Sequence, residues 1–267
     1  MMRRLFKFFC IIQFFILIST TQMTFANYDA NFDILQLAEE DFKYDEYFMI
    51  DSTEGSQNRT IKLNQFKKVN QKFPLPTVKY DRQKHFGGWI KPIKGECKNT
   101  RALVLVRDSK SAVDSNSNCS VITGDWDDPY TDMNYYKASE IQIDHVVPLK
   151  NAYMTGAHGW DFLKRCLYAN FLGNKFHLLP VSGHENERKG DRSPREYIPP
   201  NKNHTCQYLR NWLEIKYVWK LAFTPIEKNR IDELIDENRC DESTFEVSGQ
   251  AISQQNQYIQ DHKNLCQ

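Results

Sequence analysis

The sequence predicts an α+β domain stapled by disulfides, and three observations carry that prediction. Two short β-patterned runs, 140–149 and 176–181, flank one helical connection; helix-start signals follow at Ser182 and Thr224; and six cysteines remain once an N-terminal leader is set aside. The chain has 267 residues and is 40% hydrophobic, which excludes a collagen-like or extensively disordered polymer and suffices for one sizeable core.

Residues 1–26 carry Arg3, Arg4 and Lys7, then an apolar run from Phe8 to Ile18, then Thr24-Phe25-Ala26. This order of basic, apolar and small residues predicts a secretory signal peptide cut after Ala26. Its apolar core falls well short of the roughly 18 residues needed to span a bilayer. With no second apolar span downstream, the expected product is soluble and exported, either secreted or periplasmic, with no membrane contact after cleavage. Cys10 leaves with the leader, and Cys97, Cys119, Cys166, Cys206, Cys240 and Cys266 remain. An even set in an exported chain predicts disulfides, and proximity in sequence favours Cys97–Cys119 and Cys240–Cys266. The absence of any C-x-x-C pair argues against a zinc site.

Residues 27–79 are polar; they predict a short helix at 32–42 and then a linker ending at Pro74-Leu75-Pro76. A globular domain is expected over residues 80–238. Within it Ala102–Val106 reads as a buried strand flanked by Arg101 and Arg107. The stretch 206–221 predicts a helix with an apolar face of Leu209, Trp212, Leu213, Ile215 and Trp219. A second helix starts at Thr224-Pro225-Ile226-Glu227, an N-cap with proline at the first position and a capping glutamate, and runs to about Asn238. Residues 239–267 read as a polar, Gln-rich tail tethered at most by Cys266.

The chemistry-bearing residues gather around the two β-patterned runs. Asp144-His145 closes the first; after the second, Ser182 and Glu185 form a capping box, Asn186 lies one turn into the helix, and Gly190 ends it. An isolated Asp-His pair is more often a packing hydrogen bond than a site, so the ordered set carries the argument. Phosphodiester hydrolysis needs a base to activate water and positive charge on the phosphate. A neutral imidazole at His145 suits the base. Asp144 and Asn186 offer hard oxygens for a magnesium-type ion. Lys189, Arg188 and Arg192 are candidate phosphate contacts, while Arg101 and Arg107 read equally as phosphate contacts or structural pairs. Between Lys137 and Lys220 there are 13 basic and 8 acidic residues, so the excess positive charge falls around this set, although the whole chain carries only +1. Neighbours on a regular strand face opposite ways, so Asp144 and His145 can share a site only if the strand end bends, which Pro148 would allow.

The series Asp144-His145-Val-Val-Pro-Leu, His177-Leu-Leu and Asn186-x-x-Lys189-Gly-Asp-Arg192 resembles the HNH (His-Me finger) nucleases, in an exported branch related to the nuclease domain of GmrSD-type restriction enzymes. Tyr80-Asp-Arg-x4-Gly, Thr100-Arg101 with Arg107-Asp108, Gly124-Asp-Trp126 with Asp128-Pro-Tyr-Thr131, and Tyr197-Ile-Pro-Pro200 extend the likeness over about 80–230. The resemblance implies a ββα-metal core with surrounding helices and an N-terminal strand region. It implies His145 as general base, Asp144 and Asn186 as ligands to one divalent metal, and products with 5′-phosphate and 3′-hydroxyl ends. Magnesium is the expected ion, with manganese, calcium or zinc as alternatives; the expected substrate is DNA, with RNA second, read with little sequence specificity. His177 stands where the family has the Asn that braces the loop of the catalytic histidine, so it either braces or binds metal. Two competing readings are a non-catalytic nucleic-acid-binding or structural protein on the same scaffold, and a hydrolase with Cys166 as nucleophile.

Overall fold

The computed structural model describes residues 46–51, 59–69 and 76–267; the expected signal peptide and the helix expected at 32–42 lie outside them. Strand β1 (Tyr47–Ile50) pairs antiparallel with β3 (Phe66–Val69), while β2 (Thr60–Lys62) pairs with a strand near the C-terminus. Phe48 exchanges both backbone hydrogen bonds with Phe223, at 2.9 and 2.8 Å, and Tyr47, Ile50 and Leu63 are buried. The polar stretch read as a linker thus contributes strands to the domain. Its apolar residues come in short groups, Tyr47–Ile50 and Phe66 with Val69, too few to stand out in a polar stretch yet enough to dock short strands on the core.

Helix α1 (Arg82–Phe86) is capped by Asp81, whose carboxylate accepts from Lys84 N at 2.8 Å. Helix α2 (Thr100–Asp108) replaces the strand expected at Ala102–Val106. A five-residue apolar run has no period to read, and the deciding signal is Asn99, which accepts from Ala102 N at 3.0 Å as an N-cap. Strands β4 (Asp114–Ser115), β5 (Val121–Asp128) and β6 (Met133–Lys137) form an antiparallel sheet in that order.

Strand β7 (Ile141–His145) leads through α3 (Leu149–Met154) and α4 (Phe162–Ala169) to β8 (Leu178–Ser182), which pairs with β7 antiparallel from Ile141↔Ser182 to His145↔Leu178. Helix α5 (Gly183–Lys189) follows at once. Ser182 Oγ accepts from Glu185 N at 3.2 Å, the first half of the expected capping box. The reciprocal half is not made, because Ser182 N donates to Asp128 and Glu185 turns to Arg188 and Tyr197. Ile141, Ile143 and Leu178 pack with Ala102, Leu105 and Trp126 of α2 and β5, whereas Val181 joins a larger core on the other side.

That larger core is built on α6 (Thr205–Trp219) and α7 (Pro225–Glu237), both where the sequence predicts them, with Leu209, Trp212, Leu213 and Trp219 buried. Lys216 is also buried and pairs with Glu227 at 2.7 Å. Beyond Cys240 the tail is structured: β9 (Glu246–Ser248) pairs with β2, and α8 (Gly249–Asp261) packs Ile252 into the core.

The disulfides are Cys97–Cys119, as expected, and Cys166–Cys266 and Cys206–Cys240 in place of the expected Cys240–Cys266. The short turn between α6 and α7 brings the start of one beside the end of the other, which joins Cys206 to Cys240. The folded-back α8 carries Cys266 to α4. With Cys166 bonded, a Cys166 nucleophile is excluded. Among the described residues no helix is long and apolar enough to cross a membrane.

Candidate active site

Asp144 and His145, at the end of β7, both line one cleft of about 260 Å³ with Tyr80, Arg82, Lys150 and Asn186. Strand alternation still operates, but the cleft opens at the strand end, so both neighbours reach it. The carboxylate goes to Tyr130 and Lys189, and the imidazole goes to Trp89 and the end of α4.

Asp144 is held on both oxygens. Tyr130 OH donates to Oδ2 at 2.6 Å and Lys189 Nζ to Oδ1 at 2.8 Å, and Lys189 also donates to the His145 carbonyl at 2.9 Å. Burial pushes the Lys189 ammonium below its ordinary value, against the pull of Asp144. The Tyr130 phenol is raised well above its own by burial and by Asp144, so it remains a donor. The turn bearing Tyr130 is fixed by Asp128, which accepts from Tyr130 N, Thr131 Oγ1 and Ser182 N. The Asp128-Pro-Tyr-Thr motif therefore packs the site from behind.

His145 Nε2 lies 2.9 Å from the Ala169 carbonyl, and its ring stacks parallel to Trp89 at 5.3 Å. A carbonyl only accepts, so Nε2 carries the proton and Nδ1 carries the lone pair. Among the described residues Nδ1 has no hydrogen-bond partner, and it is not sealed from solvent, unlike Nδ1 of His177. Burial lowers the imidazole to about 3; the bond to Ala169 opposes this, and the charges of Arg82 and Lys189 add to it. The ring is neutral at pH 7, so its second nitrogen is unprotonated, on a residue that lines the cleft.

Asn186 donates through Nδ2 to Gln142 Oε1 at 2.6 Å, while Gln142 Nε2 donates to Glu187 at 2.8 Å. Glu187 thereby fixes both amides, and Asn186, which lines the cleft, keeps its Oδ1 without a hydrogen-bond partner among the described residues. The available donors are this oxygen and the remaining lone pairs of Asp144. Two oxygens fit a hard divalent ion that keeps most of its waters. The Lys189 charge beside Asp144 disfavours a tight cage, and among the described residues no cluster of three or more His, Cys, Asp or Glu could hold an ion.

The other residues singled out in the sequence lie elsewhere or are committed. His177 is buried behind His145, outside the cleft lining, and its Nε2 donates to the Tyr168 carbonyl at 2.8 Å. Lys189 has no solvent exposure with which to grip a phosphate. Arg188 pairs with Glu185 at 2.9 Å, and Arg192 donates to the Arg188 carbonyl. Arg101 donates to the carbonyls of Ala138 and Ile141, and Arg107 to those of Asn174, Lys175 and Leu178, so both tie α2 to the ends of β7 and β8. Sequence reasoning gave no role to Arg82, Lys150, Asp191, Gln142, Trp89 or Asn170. Arg82 is an exposed cation in the cleft with no ion pair among the described residues, whereas Lys150 is paired with Asp191 at 2.7 Å. Within Tyr80-Asp-Arg the sequence did hold a signal for Arg82.

Fold and cleft define a disulfide-bonded mixed α/β protein with an Asp-His-Asn cleft. The chain belongs to the family described as the C-terminal domain of GmrSD restriction endonucleases, whose model matches residues 101–234, half of its length. It is also 38% identical over 165 residues to an uncharacterized secreted protein of Arthroderma benhamiae (strain ATCC MYA-4681 / CBS 112371), covering 62% of this chain and 78% of that protein. No solved structure matches the chain significantly. The family marks the chain as nuclease-related, and the secreted relative and three disulfides agree with an exported location.

Proposed function

We propose that the protein is an exported, metal-dependent endonuclease of the HNH (His-Me finger) type that hydrolyses phosphodiester bonds of DNA, and of RNA as a second substrate, with little sequence specificity. The observation that carries this reading is the bond at His145 Nε2: its N–H is spent on Ala169 O, which leaves Nδ1 unprotonated on a ring that lines the same cleft as Asp144 and Asn186. On this reading β7, β8 and α5 are the ββα-metal core.

His145 Nδ1 takes the proton of the attacking water, and the Ala169 carbonyl supports the imidazolium that forms. Asp144 and Asn186 Oδ1 would hold the divalent ion, with magnesium first. When bound, that ion supplies positive charge to the pentacovalent phosphate and the departing 3′ oxygen. Lys189 and Tyr130 orient the Asp144 carboxylate, and Gln142 orients the Asn186 amide. Arg82 is the cation open to the phosphate backbone.

The test is nicking of supercoiled plasmid by the purified protein with Mg²⁺ or Mn²⁺ and with a chelator, beside linear DNA, single-stranded DNA and RNA. Metal-dependent nicking supports the reading. Failure to cleave any of these substrates overturns it and favours a binding protein on the same scaffold.

A further inference from the structure

Asn170 follows α4 and is fully buried, and its side chain joins three backbone groups. Oδ1 accepts from Ile90 N at 3.1 Å, and Nδ2 donates to the carbonyls of Gly88 at 3.2 Å and Cys166 at 3.0 Å. Gly88 and Ile90 are the neighbours of Trp89, so one amide grips the chain on both sides of that indole. The indole lies parallel to the His145 ring, and the residue preceding Asn170 is Ala169, whose carbonyl takes the His145 Nε2 proton.

We propose that Asn170 is a positioning residue for His145, acting through Trp89. The two constraints on the imidazole, the indole on its face and the carbonyl at Nε2, come from separate parts of the chain, and Asn170 is where they are tied together. The Ile90 carbonyl is held independently by Thr100 N at 2.8 Å, so loss of Asn170 frees the indole without detaching the whole loop. A buried amide with donors and an acceptor all engaged is specific to Asn: Leu fills the volume and satisfies none of the three partners.

The inference rests on His145 as the general base, and it is tested by one measurement that needs no activity and one that does. In NMR spectra at pH 7.5 the His145 Cε1 proton, assigned by its loss in His145→Gln, lies upfield under the indole. It moves downfield in Asn170→Ala and in Trp89→Leu, and stays near its place in Trp89→Phe. In plasmid nicking, Asn170→Ala and Trp89→Leu each lower kcat about tenfold to a hundredfold with KM within twofold. The double variant loses no more than the worse single one, and Trp89→Phe recovers most of the loss. If Asn170→Ala does not fold, Asn170→Asp, which keeps the acceptor for Ile90 N and loses both donated bonds, is measured in its place. An unmoved His145 resonance, or losses that multiply in the double variant, overturns the proposal. If the wild-type protein cleaves nothing, the nuclease reading falls, and the resonance still decides the clasp.

Discussion

Lys189 Nζ sits 2.8 Å from Asp144 Oδ1 with no solvent exposure on the lysine and 3% on the aspartate. This pair links the last turn of α5 to the end of β7, and the same ammonium caps the His145 carbonyl. A charge so placed cannot reach a phosphate in the cleft; it orients the Asp144 carboxylate beside His145.

Lys189→Met should therefore act on stability. Removing one partner of a buried ion pair leaves the other uncompensated and costs about 3–5 kcal/mol. Urea unfolding should show a loss of that order. A variant of unchanged stability with a raised KM would return Lys189 to the phosphate-contact role expected from sequence.

Arg82→Ala should do the reverse. The side chain is exposed and unpaired among the described residues, so the midpoint of thermal unfolding should stay in place. Nucleic-acid affinity should fall, and the slope of log K against log salt should become shallower by about one, the signature of a lost phosphate contact. An unchanged salt slope would remove Arg82 from the interface.

Much of the centre was legible because its residues act through local order. Asp144 and His145 before a proline, then Ser182 opening a helix that carries Asn186, read directly as strand end and helix start, and the structure brings all three polar residues to one cleft. The partners of those residues were not legible, because they arrive from distant sequence: Trp89 and Arg82 from before α2, Tyr130 from the β5–β6 turn, Gln142 from across the strand pair. Arg101 and Arg107 illustrate the same limit. Their charge was visible, but their use as carbonyl clamps appears only when α2 lies against β7 and β8. The disulfide error has a plain cause too: nearness in sequence selects Cys240–Cys266, and the return of α8 over the core makes Cys166 the nearer partner.

Stability should fall on acidification. Burial holds the His177 imidazole at about 3, against an ordinary value of 6.5, and its neighbour His145 adds to the shift. A lowered pKa means the unfolded chain takes up the proton first. The stabilisation is complete above about pH 6.5 and is lost as the pH falls toward 3, at about 1.4 kcal/mol per unit for this one group. Unfolding free energy measured from pH 7.5 to 4 should slope accordingly, and His177→Asn should flatten the slope whatever its effect on absolute stability. Identical slopes would show that His177 is not buried as the neutral base.

The base assignment at His145 is tested most directly by the single-turnover rate of plasmid nicking by His145→Ala beside wild type, at saturating metal and equal DNA occupancy. Loss of a general base costs about 10²–10⁴-fold, so the rate should fall within that range with the fold retained. Nicking within threefold of wild type would contradict it.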